Sequence, residues 1–284
     1  MTIMPPALPL LSSAKWKGAA IACLLLASFG SAAEAAQCGN GPGGFSNWLQ
    51  RFRLEAAAQG IKSGTVLSAL SSVSYDPTVI RLDRSQHSFK LSFEQFYARR
   101  VSGGMIKHGR ALMQRYRPVL DRIEQRYGVP APIIVAIWGL ETNYGANMGA
   151  KYSIIRSLAT LAYDCRRSEF FTGQLLDALR IIQEGDLSPS QLRGGWAGEI
   201  GQTQFLPTPY IRYAVDFDGD GRKDLINSVP DILASTANFL ASHGWQRGAG
   251  WQPGSPNYGV IGQWNKAEVY IRTIGAMADK LDGR

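Results

Sequence analysis

A single carboxylate, Glu141, stands within an almost wholly apolar stretch. Residues 133–145 read IIVAIWGLETNYG, and Glu141 follows eight uncharged residues. Apolar surroundings raise the pKa of a carboxyl because they disfavour its charged form, and the C-terminal end of a helix acts in the same direction. A Glu that stays protonated near neutral pH can act as a general acid. Glu141 is therefore a candidate acid catalyst; the alternative is a structural Glu paired with an arginine.

A glycine-rich segment supplies the second candidate for chemistry. Residues 194–207 read GGWAGEIGQTQFLP. Glycines let the backbone approach a ligand closely, and the Gln204 amide can both donate to and accept from sugar hydroxyls and amides. The segment also carries Glu199. If Glu199 faced Glu141 across a cleft, two acids would flank a glycosidic bond, as in hydrolysis of the lysozyme type.

A third pattern, in residues 216–227, is typical of a calcium loop. The segment DFDGDGRKDLIN has acids at loop positions 1, 3, 5 and 9 and glycine at position 6, as in an EF-hand. Position 12 is Asn rather than the usual bidentate Glu. We expect a structural Ca²⁺, with an ion-free turn as the alternative. The predicted ligands are Asp216, Asp218, Asp220, Arg222 through its carbonyl, Asp224 and Asn227.

The N-terminus has the pattern of an export signal over residues 1–36. Lys15 and Lys17 precede an apolar run at 18–29 that is short for a membrane span, and Ala33-Glu34-Ala35 forms a cleavage site. We expect a periplasmic protein with no lipoprotein motif before Cys38 and no transmembrane segment after signal cleavage; an uncleaved anchor is the alternative.

Cysteine usage fits this compartment. The chain has 3 cysteines, and removal of the signal also removes Cys23. Two remain, Cys38 and Cys165, which in an oxidising compartment predicts one disulfide. Two buried thiols are the alternative.

The charge balance indicates either acidic partners or a basic surface that is simply solvated. The formal net charge is +8 and the isoelectric point is near 9.5, which favours acidic polymers or anionic surfaces. The basic residues are dispersed and the chain is expected to be exported, so we predict no nucleic-acid partner.

The elements that must position these residues are predicted to be helices. Apolar residues recur at three and four over 94–128, and capping patterns indicate helices at 46–60, 154–163, 169–184, 230–243 and 266–281. Pro118 either kinks a helix or starts a second one. Residues 246–262 are rich in Gly and Pro and are predicted to be loop, with short strands as an option. The fold class is therefore mainly α with little β structure.

The longer motifs resemble a known family. The segments GLETNYG, LATLAYDCRRSEFF, GGWAGEIGQTQFLPTPYIRYAVDFDGDG and ASHGW are similar to those of the membrane-bound lytic transglycosylase B family. The resemblance implies a lysozyme-like core at 126–284, preceded by a helical part at 37–125. It also implies cleavage of the β-1,4 bond between N-acetylmuramic acid and N-acetylglucosamine in peptidoglycan, which leaves a 1,6-anhydromuramoyl end.

The resemblance also implies roles for individual residues. Glu141 matches the catalytic glutamate. The substrate-binding positions are Gln204, Gly201, Gln202, Tyr144, Trp264, Asn265 and the arginine pair Arg166 and Arg167, whose cations suit stem-peptide carboxylates. Two departures concern the orientation of Glu141, since Trp264 replaces a Tyr and Gly195 stands where relatives often carry Ser.

With one carboxylate, Glu141 would first protonate the glycosidic oxygen and then take the proton of the muramoyl C6 hydroxyl. No organic cofactor is implied, and we expect a monomer. Two alternatives stay open: a hydrolytic muramidase that uses Glu199, and a peptidoglycan-binding scaffold without turnover.

Overall fold

The computed structural model describes residues 37–86 and 91–284, so the predicted signal peptide lies outside the described residues. The helices are α1 (Phe45–Ala58), α2 (Ser63–Leu70), α3 (Pro77–Arg84), α4 (Phe93–Arg100), α5 (Gly103–Arg115), α6 (Arg117–Tyr127), α7 (Ala131–Thr142), α8 (Ile154–Tyr163), α9 (Ser168–Glu184), α10 (Pro207–Tyr213), α11 (Val229–Ser242), α12 (Pro256–Trp264) and α13 (Glu268–Asp282). A short 3-10 turn at Pro42–Gly44 precedes α1. None of these helices has the length and hydropathy needed to cross a membrane.

The apolar helix α7 lies at the centre of the molecule. Ten of its twelve residues are buried, and α5, α6, α11 and α13 pack around it. A helix that is apolar on all sides has to be enclosed in this way. Gly139 permits the close approach of α13, because a Cβ there would lie 2.8 Å from Met277. The helix ends at Asn143, which adopts the left-handed conformation with φ of 50°.

The N-terminal helices are held against α8 and α9. The predicted disulfide between Cys38 and Cys165 is confirmed, and the Gly39 amide next to it donates to the Tyr163 carbonyl at 2.8 Å. Phe45 and Trp48 pack against the Tyr163 ring on the same side. The start of the described chain is thereby joined to its middle through covalent, polar and apolar contacts.

Two helix boundaries bear on the predictions. Pro118 starts a second helix, since α5 ends at Arg115 and α6 begins at Arg117. The expected loop at 246–262 is wrong in its second half, where α12 runs from Pro256 to Trp264. Proline in a first helical turn is favourable, and burial of Val260 and Ile261 outweighs the glycines. This helix delivers Trp264 to the cleft.

The β structure is limited to one small sheet in the described chain. Strand β1 (Tyr152–Ser153) pairs antiparallel with β2 (Arg193–Gly194). Single bridges join Gly194 to Ile200 and Ile200 to Phe205, so the glycine-rich segment folds back on itself as one wall of a cleft. The prediction of a mainly α fold with little β structure is confirmed.

Candidate active site

Glu141 lies in the last turn of α7 and lines a cleft of about 480 Å³. The glycine-rich segment forms one wall of the cleft and the end of α12 forms another. The lining residues are Glu141, Glu199, Thr203, Gln204, Phe205, Leu206, Pro209, Phe239, Gln263, Trp264 and Asn265. The structure therefore brings the candidate acid, the second carboxylate and the polar Gln204 into one concave site.

Two neutral donors orient the Glu141 carboxyl. Its Oε1 accepts from Trp264 Nε1 at 2.8 Å and from the Tyr270 hydroxyl at 2.9 Å. Trp264 ends α12 and Tyr270 lies in α13, so three helices meet at this oxygen. Neither donor carries a charge, and both bonds leave Oε2 as the oxygen that can hold a proton. Trp264 replaces a Tyr of the family pattern, which had put the orientation of Glu141 in question. Its hydrogen bond shows that Trp264 can orient the carboxyl.

Burial governs the acidity of Glu141. Desolvation raises its pKa, and the nearby Glu199 adds to the rise. The bonds from Trp264 and Tyr270 and the charge of Arg100 act in the opposite direction but are outweighed. Arg100 donates to the Leu140 carbonyl, and no ion pair to Glu141 occurs among residues 37–86 and 91–284. The alternative of a structural Glu clamped by an arginine is therefore not what the structure contains.

Of the predicted positions in the glycine-rich segment, Gln204 lines the cleft, whereas Gln202 and Gly201 hold the segment in place. Gln204 lines the cleft in a left-handed conformation with φ of 56°, and its amide donates to the Gly201 carbonyl at 2.7 Å. Gln202 points to the protein interior, where its amide accepts from Trp138 and donates to the Ile226 carbonyl. A Cβ at Gly201 would lie 2.2 Å from the Leu225 carbonyl oxygen, so this glycine permits loop packing.

Two further predicted positions lie beside the acid. Asn265 lines the cleft, and its side-chain oxygen accepts from the Ala267 amide, which fixes the turn into α13. Tyr144 does not line the cleft; it is buried, packs edge-on against Trp138, and donates its hydroxyl to the Met105 carbonyl. Its side chain supports the end of α7 from inside the protein.

The arginine pair belongs to an ionic cluster. The buried Asp83 carboxylate accepts from Arg84, Arg166 and Arg167. Burial alone would raise the pKa of Asp83, but the bonds from Arg167 and Arg166 hold it below the usual value. Arg84 also makes two 2.8 Å bonds to Asp164. The side chains of Arg166 and Arg167 remain 45% and 37% exposed, so the cluster presents fixed cations at the surface.

The acidic loop gathers a different set of carboxylates from the predicted one. Asp216, Asp218 and Asp231 each place an oxygen within 4.8 Å of the others. Asp220 is turned towards Arg222, whose side chain is exposed, and Asp224 accepts from the Asn227 amide groups. The fully buried Asp231, at the start of α11, was not predicted because it lies beyond the twelve-residue loop.

Sequence reasoning also missed Tyr270 and Arg100. Tyr270 is 129 residues from Glu141 and sits within an ordinary amphipathic helix, so no local pattern marks it. Arg100 is one of several arginines in the N-terminal half and touches the site only through tertiary packing. Asp231 could have been found from the Ser228 cap and Pro230, which mark a helix start two residues after the loop and place Asp231 in its first turn.

Comparison with known proteins relates this chain to a described family. Residues 44–255 match the family described as "Transglycosylase SLT domain". Over 160 residues the chain is 41% identical to membrane-bound lytic murein transglycosylase B of Escherichia coli strain K12. That match covers 54% of this chain and 44% of the relative, so the matched region spans less than half the length of that protein.

Solved structures match over most of the chain. SltB3 from Pseudomonas aeruginosa, in complex with NAG-NAM-pentapeptide, superposes with a TM-score of 0.80 and 35% identity, covering 84% of this chain and 80% of that one. The Escherichia coli lytic transglycosylase Slt35, in complex with calcium, gives a TM-score of 0.74 at 25% identity, covering 87% and 96%. The predicted lysozyme-like fold is thereby confirmed.

Proposed function

The chain belongs to the transglycosylase SLT domain family, and we propose that it is a peptidoglycan lytic transglycosylase. In this function it cleaves the β-1,4 bond between N-acetylmuramic acid and N-acetylglucosamine and leaves a 1,6-anhydromuramoyl end. The observation that carries the proposal is the Glu141 carboxyl, which faces a cleft with its proton favoured by burial and its orientation set by Trp264 and Tyr270.

The chemistry follows from that proton. The Glu141 carboxyl donates it to the glycosidic oxygen, and the bond from this oxygen to the muramoyl C1 breaks. The C6 hydroxyl oxygen then closes on C1 and loses its proton, so no water enters the product. In the simplest form of the mechanism Glu141 takes that proton back and is regenerated. The donors on Oε1 hold the carboxylate in place between the two steps.

The proposed substrate class also fits the partly exposed arginine pair, although neither arginine is among the residues that line the cleft. Arg166 and Arg167 are held by Asp83 and are still partly exposed, so their orientation is fixed before a ligand arrives. Guanidinium groups of this kind bind carboxylates in a bidentate manner. We assign them to the carboxylates of stem peptides on a glycan strand whose sugars contact Gln204 and Asn265.

The acidic loop is assigned to a structural calcium ion. Its donors are the carboxylate oxygens of Asp216, Asp218 and Asp231, which is the hard, all-oxygen set that Ca²⁺ prefers. Burial raises the pKa of Asp231 and the charge of Asp218 adds to the rise, against backbone amides that lower it. A cation would relieve the repulsion among the three charges. The ion would brace the segment between α10 and α11; it has no part in the chemistry.

We also propose a cellular location and an oligomeric state for the protein. We infer export to the periplasm through the signal at 1–36, since the Cys38–Cys165 disulfide suits an oxidising compartment. We further infer action as a monomer, because both side chains that donate to the Glu141 carboxyl belong to the same chain.

Product analysis tests the function. Purified sacculi are digested with the mature protein, and the soluble muropeptides are separated and weighed. We expect anhydro ends, which lack one water relative to reducing ends. Exclusive release of reducing ends would instead identify a muramidase, the second candidate, which is favoured by the position of Glu199 in the same cleft. Binding to sacculi without any soluble product would identify a scaffold.

A further inference from the structure

Glu199 is a second carboxylate in the cleft, and its placement is built into the loop. Its Oε2 accepts from the Ala197 amide at 3.1 Å. A Cβ at Gly195 would lie 2.0 Å from this oxygen, so the carboxylate fills the space that a side chain at 195 would need. The glycine at 195 and the acid at 199 are therefore one structural unit.

This carboxylate is partly buried and has no charge partner. No lysine, arginine or histidine in the described part of the chain forms an ion pair with Glu199, and apart from the Ala197 amide no other residue there donates to it. Burial raises its pKa. A buried acid without a cation costs stability, and such groups in a cleft are typical of chemical sites.

Glu199 and Glu141 approach the same space from different walls. Glu141 comes from the end of α7 and Glu199 from the glycine-rich segment, and both line the cleft. They are close enough for the charge of Glu199 to raise the pKa of Glu141. The other charged or titratable groups that act on Glu141 are Arg100 from α4 and Tyr270 from α13. A pair of this kind is most stable with one proton between two carboxyls.

We propose that Glu199 is the base of the lytic reaction, so that the two proton transfers are divided between two carboxyls. Glu141 gives its proton to the glycosidic oxygen as the bond to C1 breaks. Glu199, as carboxylate, removes the proton of the muramoyl C6 hydroxyl as O6 bonds to C1. The cycle leaves Glu141 ionised and Glu199 protonated, and exchange with solvent after product release restores the starting state. This rests on the proposed lytic activity.

The test compares Glu199→Gln with wild type and with Asp121→Asn, which removes one exposed acid on α6. With purified sacculi, Glu199→Gln should lower kcat by about 100-fold or more, the usual contribution of a general base, and leave KM unchanged. Its melting temperature should be no lower than that of wild type, because the change removes a buried charge. Activity that needs an ionised base rises with pH, so the acidic limb of the pH profile should disappear. Formate should restore part of the activity of Glu199→Ala.

Three outcomes would overturn the proposal. Activity of Glu199→Gln within a few-fold of wild type would show that Glu141 performs both transfers. A shift of the alkaline limb to lower pH, with the acidic rate kept, would show that Glu199 only raises the pKa of Glu141. Reducing ends that are made by wild type and lost in Glu199→Gln would show that Glu199 activates water. Wild-type anhydro products test the lytic function separately, whichever of these results is obtained.

Discussion

At the scale of single residues, the proposed activity depends on the protonation of Glu141. Its pKa is raised above that of an ordinary glutamic acid, and the acid must carry its proton when the substrate binds. The rate should therefore be sustained at pH values where an exposed Glu is ionised, and should fall as pH rises through the raised pKa. The release of anhydro-muropeptides against pH measures this limb directly.

Replacement of Glu141 by Gln should abolish product release while sacculus binding persists. The same change should alter stability in a defined direction. A carboxyl whose folded-state pKa is raised favours folding at low pH and disfavours it as pH rises through that pKa. The melting temperature of Glu141→Gln should therefore exceed that of wild type at pH 8, and the difference should fade at pH 4. An equal difference at both pH values would contradict the assigned pKa shift.

The donors to Glu141 should act on orientation and on acidity together. Trp264→Phe and Tyr270→Phe each remove one hydrogen bond that favours the carboxylate, so the alkaline limb should move to higher pH. The rate should fall about 10-fold or more in each, since a misplaced acid transfers its proton poorly. Tyr258→Phe is the control, because its hydroxyl contacts Glu268 instead. If the alkaline limb of the pH profile stayed at the same pH in both variants, the two hydrogen bonds would not set the acidity of Glu141.

At the scale of elements, the glycine-rich segment depends on close packing at one glycine. Gly201 has φ of 67° and Gly149 has φ of 64°, but only a Cβ at 201 meets a neighbour. Gly149→Ala should cost roughly 1 kcal/mol from backbone strain alone. Gly201→Ala should cost about 1–3 kcal/mol more because the cleft wall must move from Leu225, and its activity should fall. Equal costs by urea denaturation would contradict this account.

Calcium binding to the acidic loop should change the thermal stability of the protein. Added Ca²⁺ should raise the melting temperature and chelator should lower it, because binding to the folded state alone shifts the unfolding equilibrium. Asp216→Asn should remove most of the calcium response, and Asp121→Asn should keep it. A calcium shift of the same size in Asp216→Asn would place the ion elsewhere.

Sequence patterns predict the features that depend on residues close together in the chain. The apolar helix around Glu141, the loop carrying Gln204 and two of the clustered acids, Asp216 and Asp218, were predicted because their signals lie within short windows. The helix at Pro256–Trp264 was missed, since tertiary burial of Val260 and Ile261 overrides its poor local propensity. Contacts such as Tyr270 with Glu141 arise only when distant helices pack, and no window of sequence holds both residues.

At the scale of the whole molecule, the disulfide joins the start of the described chain to its centre. Cys38 and Cys165 are separated by 127 residues, and closing a loop of this size should contribute roughly 4–5 kcal/mol in the loop-closure model. Cys38→Ser, Cys165→Ser and the double variant should lose the same free energy of unfolding in urea. Additive losses would show that each cysteine acts through its own packing and not through the bond.

The groups that orient Glu141 are far from it in the sequence, and this separation has a consequence for truncated chains. Glu141 lies near the middle of the sequence, whereas its two orienting donors, Trp264 and Tyr270, lie in α12 and α13. An unfinished or C-terminally clipped polypeptide therefore possesses the acid without its alignment. Loss of α12 and α13 by proteolysis should therefore leave a carboxyl without either orienting hydrogen bond, and the proposed activity should be lost with them.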